Sequence, residues 1–417
     1  MGKLIRIWAR QKMTEKSISF LNSDGEWRIV YGSQTAAVRP PEIRTACWET
    51  YDELPVFQEK APGWKRGRRL NALLACECTK TGALVPDSVQ VKTDSGPMIS
   101  GRDFRVDDFW GCVGRTADGR ICQWQPVRMR CAYYPSRLDS VILDRNGKLI
   151  VLSGKEGMAT PQSPRLPAGA KHLANLFFSG KFTGLHDGMV YPVNPDHFVL
   201  PVPANIPQRA LQKLRSGGKL RILAWGDSVT ECVYMPHQNR WQEQFVSRLR
   251  KLYPQAEIEL RTAGWGGSNM VSWFAKREDG IHDFAREVLN QKADLVISEF
   301  VNDAALDSDR WRQNFDQAKC DFEKKGMEWI ILTPHYVRMD WMGLDSMKDC
   351  EDDPRPYVSF IRKFAAKERI PLADASLLWG QLGSSGIPYE IFLSNGINHP
   401  DRRGMTLFAD ALVRLFE

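Results

Sequence analysis

Five short stretches of this chain hold the residues whose types and spacing could do chemistry. In "WGDSVT", Ser228 follows an apolar run and stands beside Asp227. "TAGWGGSN" (residues 262–269) offers Gly267, and "EFVND" (299–303) offers Asn302 and Asp303. "TPHYVRMDWMG" (333–343) offers His335 and Trp341, and "NGINHPDRRG" (395–404) offers Asn395, His399 and Asp401. A serine hydroxyl attacks a carbonyl carbon only when a base takes its proton, and His399 is the base this set provides. The attack leaves a negative oxygen that needs donors already in place. The backbone N–H groups of Ser228 and Gly267 and the side-chain amide of Asn302 can supply them. Glycine at 267 lets the backbone approach without a Cβ in the way, and Asn302 donates without titrating. Read alone, Ser228 is a helix N-cap, a place that Ser and Asp both fill well; the other four stretches favour the nucleophile. Asp227 and Asp303 suit structural roles, and Asp374 suits the cap of the helix after "PLAD".

Such residues must be brought to one place. From about Leu211 the pattern alternates: "LRILAWG", "AEIELRT", "ADLVISEF", "EWIILTP" and "IPLAD" read as strands. Between and after them run the helix-like stretches "NRWQEQFVSRLRKLY", "GIHDFAREVLNQ", "DRWRQNFDQAKCDFEKKG", "RPYVSFIRKFAAKER" and "DRRGMTLFADALVRLFE". In "NRWQEQFVSRLRKLY" the apolar stripe is Trp241, Phe245, Leu249 and Leu252. Strands alternating with helices mean a parallel sheet covered on both faces. The loops at the carboxyl ends of such strands build the site, and all five stretches fall there. The first half differs. It offers short β-prone runs with the hairpin signals "ADGR" and "RNGK", which suit an all-β sandwich or jelly-roll-like domain. The expected division is a β-rich accessory domain over 1–200, a proline-rich extended linker over 201–219 and an α/β domain over 220–417.

The four blocks "GDSVT", "TAGWGGS", "VND" and "INHPDRRG", in this order on these strand ends, resemble the SGNH or GDSL-type hydrolase superfamily over about half the chain, from residue 220 to 417. The resemblance implies a flavodoxin-like three-layer α/β/α fold, a shallow site without the "GxSxG" elbow, and hydrolysis of an ester or a thioester. Three positions depart from the pattern. Thr262 stands where Asn is usual, and Phe300 stands where the third block has Gly. Most consequential, the family's histidine usually follows an aspartate by three or four positions, and here those positions are Gly396 and Asn395. Asn395 can accept a hydrogen bond from the ring but brings no charge. The open readings are Asn395 as third member, Asp401 in its place, a Ser-His pair oriented by a backbone carbonyl, or loss of catalysis.

The expected activity is that of a serine esterase removing a small acyl group, acetyl foremost, from a carbohydrate. A β-domain joined to an SGNH domain is similar to arrangements in polysaccharide-acting esterases. Aromatic faces suit sugar rings, and of the 14 Trp Trp265 and Trp341 fall on expected site loops, with His335 beside them. Trp273 is also near a rim loop. The rivals are a lipolytic or thioester-cleaving enzyme and a glycan-binding protein that does not cut. No cofactor is expected. A metal site is not expected either: His186, Asp187 and His197 are near only in sequence. Cys76 and Cys78 in "LLACECTK", read as one strand face, lack a paired CxxC. The nine cysteines are an odd number without repeating spacing, which suits reduced thiols. The net charge of +7 is spread over both halves. The basic run "WKRGRR" and the acidic run "DSMKDCEDDPRP" read as solvated surface, so no nucleic-acid module is expected. No apolar run reaches the ~20 residues of a membrane span. The start "MGKLIRIWARQKMTEK" lacks a signal-peptide core, so the chain as it stands is expected in the cytoplasm.

Overall fold

The computed structural model describes residues 18–23, 25–194, 200–275, 281–347 and 352–417. The alternating half forms one five-stranded, all-parallel sheet. Its strands are β1 (Lys219–Gly226), β2 (Glu257–Gly264), β3 (Leu295–Glu299), β4 (Glu328–Leu332) and β5 (Leu372–Ala373), in spatial order β2-β1-β3-β4-β5. That is the flavodoxin-like order, with the switch point at the end of β1. Alternate residues of β1 enter different cores. Leu220, Ile222 and Ala224 join one cluster, and Leu223 and Trp225 the other. Each face is covered by helices. On the first lie α1 (Gln208–Arg215), α2 (Trp241–Leu252), α5 (Ala375–Ser384) and α6 (Arg402–Val413). On the second lie α3 (Ser308–Lys324) and α4 (Pro356–Glu368).

Local sequence explains the helix starts. Asp307, Asp374 and Asp401 cap α3, α5 and α6 by accepting backbone N–H groups, and α4 begins with Pro356, where the missing N–H costs nothing. In α2 the stripe Trp241, Phe245 and Leu249 is buried, whereas Leu252 at its end is 45 % exposed. The stretch "GIHDFAREVLNQ" is helical only over Phe284–Glu287, and Lys292 beyond it is left-handed (φ 53°). The expected linker is not all extended. It contains α1, whose Ala210, Leu211 and Leu214 belong to the sheet's own core.

Among its described residues the N-terminal half is β-rich, as expected, with three single-turn 3-10 helices (Gly63–Lys65, Asn71–Leu73 and Asp187–Met189), but its strands are short. Among the described residues they form six small antiparallel sheets. Two cores hold them, one around Tyr51, Val91 and Met129 and one around Trp27, Val141 and Phe178. "RNGK" turns the strand Arg137–Leu143 into Leu149–Leu152, with Gly147 at φ 75°. "ADGR" makes no hairpin. Asp103 takes the Arg120 N–H and guanidinium, and the strand Cys112–Arg115 pairs with Phe104–Asp107 instead. "LLACECTK" is not one strand either. Leu74–Ala75 and Cys78–Thr79 pair through Ala75 and Cys78, so Cys76 (φ 52°) and Glu77 form the two-residue tip of a hairpin.

The halves are joined closely. Leu138, Phe177 and Tyr191 from the first half enter a core cluster of the sheet. Trp110 and Cys112 pack on Ile397. Lys80 and Glu390 form a 2.9 Å ion pair with side-chain exposures of 3 % and 14 %.

Candidate active site

The register aligns the strand ends. Gly226 lies level with Gly264 on β2 and Glu299 on β3. Only glycine fits at 226, because a Cβ there would lie 2.2 Å from the Glu299 carbonyl oxygen and 2.3 Å from Thr230 Oγ1. The chain then turns at Asp227 into a short helix, Ser228–Glu231. Asp227 is fully buried. One of its carboxylate oxygens accepts the Val229 N–H (3.0 Å) and the other the Asn302 N–H (3.1 Å), so it locks the first loop to the third. Asp303 likewise accepts the Met270 N–H at 2.9 Å. Burial raises both acids, Asp227 to about 6 and Asp303 to about 7. Burial and the Asp227 charge push Glu299, sealed beneath them, well above the carboxylate range. These are the structural roles their positions suggested.

Ser228 and His399 meet. The serine Oγ lies 3.0 Å from His399 Nε2, within reach for proton transfer. The ring is 15 % exposed, and the Tyr234 ring lies face to face with it at 4.5 Å and 3°. Its other nitrogen, Nδ1, is hydrogen-bonded to Glu77 Oε1. Both ring nitrogens are therefore taken, and neither partner is Asn395 or Asp401. Asn395 lies one step away. Its Oδ1 accepts the N–H groups of Ile397, Asn398 and His399 (2.9, 3.0 and 3.0 Å), and its Nδ2 donates to Glu77 Oε1 at 2.9 Å. Asp401 caps α6 through Arg403 and Gly404. Burial by itself would raise the Glu77 carboxyl, but the hydrogen bond and charge of the His399 ring, with the Cys76 thiol, hold it down to about 2.

Beside this pair, but lined by neither Ser228 nor His399, is a cavity of about 560 Å³ bounded by Gly267, Asn302, Val301, Val337, Ala304, Ala305, Asn269, Asn398, Trp341 and Arg355. Gly267 has φ 74° with open space around it. One N–H of the Asn302 amide donates to the Ser268 carbonyl at 2.9 Å. The amide carries two N–H groups, and Asn302 is among the residues that line the cavity. Trp341 is 44 % exposed. The Arg338 guanidinium lies 4.9 Å from its ring, and the Trp64 ring from the N-terminal half stands edge-on at 6.2 Å.

Two expected contacts do not reach this cavity. His335 is fully buried; its Nε2 meets the Asn398 carbonyl at 2.7 Å, and its ring packs against Trp379 and Phe408. Burial, with the Arg355 charge, lowers its basicity and keeps it neutral. Trp265 stacks on His282 (4.6 Å, 8°) and edges onto Trp273, so its indole faces its own layer. Trp273 is buried at 1 %. Phe300, standing where the third block has Gly, packs on Trp225 at 4.8 Å, a core use for the extra volume. Among the described residues no group of three or more His, Cys, Asp or Glu could hold a metal ion. His197 lies outside the described residues. No described helix is long and apolar enough to cross a membrane.

No family model matches this chain, and no curated protein matches it. Solved structures do. A two-domain esterase active on acetylated mannans aligns at 15 % identity over 50 % of this chain and 51 % of that one, with a TM-score of 0.40. An acetyl xylan esterase variant from Geobacillus stearothermophilus aligns at 17 % over 47 % of this chain and 94 % of that one, with a TM-score of 0.38. A member of the lipolytic G-D-S-L family from Veillonella parvula aligns at 19 % over 47 % and 98 %, with a TM-score of 0.37. This chain spans about half the length of the two-domain esterase. The sheet order and the blocks at its strand ends decide the architecture. The C-terminal half has a flavodoxin-like three-layer α/β/α fold. Sequence reading of that α/β half could not reach Glu77, which lies in the other half. The one signal was the missing acid before His399, and the replacement offered by nearness in sequence, Asp401, caps α6 instead.

Proposed function

We propose that this protein is a serine esterase that removes a small acyl group, acetyl foremost, from a carbohydrate. The observation that carries the reading is the 3.0 Å approach of Ser228 Oγ to His399 Nε2. Nε2 takes the Ser228 proton as Oγ bonds to the acyl carbon. The carbonyl oxygen becomes an oxyanion, met by the N–H groups of Ser228 and Gly267 and the second N–H of the Asn302 amide. The tetrahedral species collapses, its bond to the sugar oxygen breaks, and the Nε2–H proton passes to that oxygen. Water then attacks the acyl-serine, again giving its proton to Nε2. The carboxylic acid leaves, and the proton returns to Oγ. The cavity lining favours a sugar over a long acyl chain: three amide side chains, small aliphatic groups and one half-exposed indole. The reading of a scaffold that binds without cutting drew on Asn395 in place of an acid, and a carboxylate against the ring removes that support.

The test is hydrolysis of p-nitrophenyl acetate, butyrate and octanoate by the wild type and by Ser228→Ala. The expected outcome is turnover of acetate, falling with chain length, and a loss of kcat on the order of 10⁴-fold or more in the variant. A preference for octanoate would replace the sugar ester with a lipid. Turnover that survives Ser228→Ala would remove the nucleophile.

A further inference from the structure

The acid of the His399 loop, Asp401, caps α6 and does not meet the ring, and the N-terminal half fills the gap. Gly396, three positions before His399, is left-handed (φ 65°), and a Cβ there would lie 3.1 Å from Lys80 Cδ. Its bareness lets the hairpin carrying Glu77 and the following Lys80 come against the loop. The buried Lys80–Glu390 pair and the contact of Trp110 and Cys112 with Ile397 hold that approach. The Asn395 amide then fixes Glu77 Oε1 at 2.9 Å, and the same oxygen meets His399 Nδ1. We propose that Glu77 is the positioning carboxylate of His399, so that the N-terminal half completes an active site whose nucleophile and base belong to the α/β half. The inference rests on the esterase reading for its chemistry and on this geometry for its residue.

The physical role follows from the two ring nitrogens. A carboxylate at Nδ1 keeps the proton there and turns the Nε2 lone pair toward Ser228 Oγ. When Nε2 accepts the serine proton, the ring becomes a cation beside a fixed negative charge, which favours the charged form. Glu77 itself, held down to about 2, stays ionised throughout. The other titratable groups about the pair are the Cys76 thiol on Glu77, Tyr234 on the face of the ring and, farther off, Asp227 and His335. Burial drives Tyr234 upward and His335 downward, which leaves both neutral.

The experiment compares the full-length wild type with Glu77→Gln, which keeps the size and removes the charge, and with Glu77→Asp. Three readouts are used: ester turnover against pH, the rate of Ser228 phosphonylation by a fluorophosphonate, and the downfield proton resonance of the imidazole Nδ1–H. Glu77→Gln is expected to lower kcat about 10²- to 10⁴-fold with KM within about twofold. The phosphonylation rate should fall in parallel and the downfield resonance should disappear. Glu77→Asp is expected to retain the resonance and part of the rate. A kcat within about threefold of wild type across the pH range, or a resonance unmoved by Glu77→Gln, would overturn the proposal. A wild type that is phosphonylated in a Glu77-dependent way but cleaves no ester would uphold Glu77 and end the esterase reading. Ester turnover indifferent to Glu77→Gln would do the reverse. A folded wild type with neither labelling nor the resonance would end both.

Discussion

Ser228 and Asn302 reach the site because β1 and β3 are hydrogen-bonded neighbours, and their register puts Gly226 opposite Glu299. Glu77 reaches the same site at the tip of a hairpin built from two-residue strands. What fixes that tip is a side-chain interface: the Lys80–Glu390 pair, the Trp110 and Cys112 contact with Ile397, and the space left by Gly396. Ser228 and Asn302 are delivered by backbone pairing, which few single substitutions can shift. Glu77 is delivered by docking, which one substitution can loosen. Lys80→Met breaks this contrast most strongly. It leaves the largely buried Glu390 carboxylate without its partner, at a cost of about 3 kcal/mol. Urea unfolding should register that loss, and kcat should fall as well, because the hairpin carrying Glu77 drifts. Introduced into Glu77→Gln, the same change should cost almost nothing further in kcat, since both act on one hydrogen bond. A Lys80→Met protein that loses stability but keeps its full kcat would show that the hairpin is held by something other than this pair.

The same contrast explains what could be read in the sequence. Apolar runs of strand length alternating with helical stripes have few structural solutions, so the five strands, most of the helices and the rim carrying Ser228, Asn302 and His399 were legible. Each block lies next to the strand that positions it. Glu77 had no such local mark. Cys76, Glu77 and Cys78 looked like alternating residues of one strand, yet the left-handed Cys76 makes them a turn, and no neighbour in sequence announces it. Trp265 and His335 sat on the right loops, but a loop's address does not say which way a ring points. Trp265 found His282, and His335 found the Asn398 carbonyl under the surface. Asn395 was rightly singled out as unusual, and its amide is part of the arrangement, though it acts on the loop and on Glu77 and does not touch the ring.

Gly396→Ala probes the same junction more gently. Its left-handed backbone costs a non-glycine residue roughly 1–2 kcal/mol, and the added methyl would press on Lys80 Cδ at 3.1 Å. Urea unfolding should show a loss of that size. The loop that carries Asn395 and His399 should shift enough to lower kcat several-fold with little change in KM. A neutral result in both measurements would mean that the hairpin has slack against this loop and that the tight approach is not needed.

Trp341 sharpens the comparison from the substrate side, where the two halves also meet. Arg338 lies 4.9 Å from the rings of both Trp341 and Trp110, and Trp64 stands edge-on to Trp341. The indole is 44 % exposed and lines the cavity, so the part that Arg338 leaves uncovered could take the apolar C–H side of a sugar ring. Such a contact is worth about 1 kcal/mol, or roughly a fivefold change in an equilibrium constant. Trp341→Ala should therefore raise KM for an acetylated oligosaccharide about fivefold while kcat changes less than twofold. p-Nitrophenyl acetate supplies the control, because it carries the ester without the sugar. A rise in KM confined to the oligosaccharide assigns the indole to the sugar. An equal loss on both substrates would mean that Trp341 holds the Arg338 loop against the N-terminal half, and the interface would then matter to the site through its shape alone.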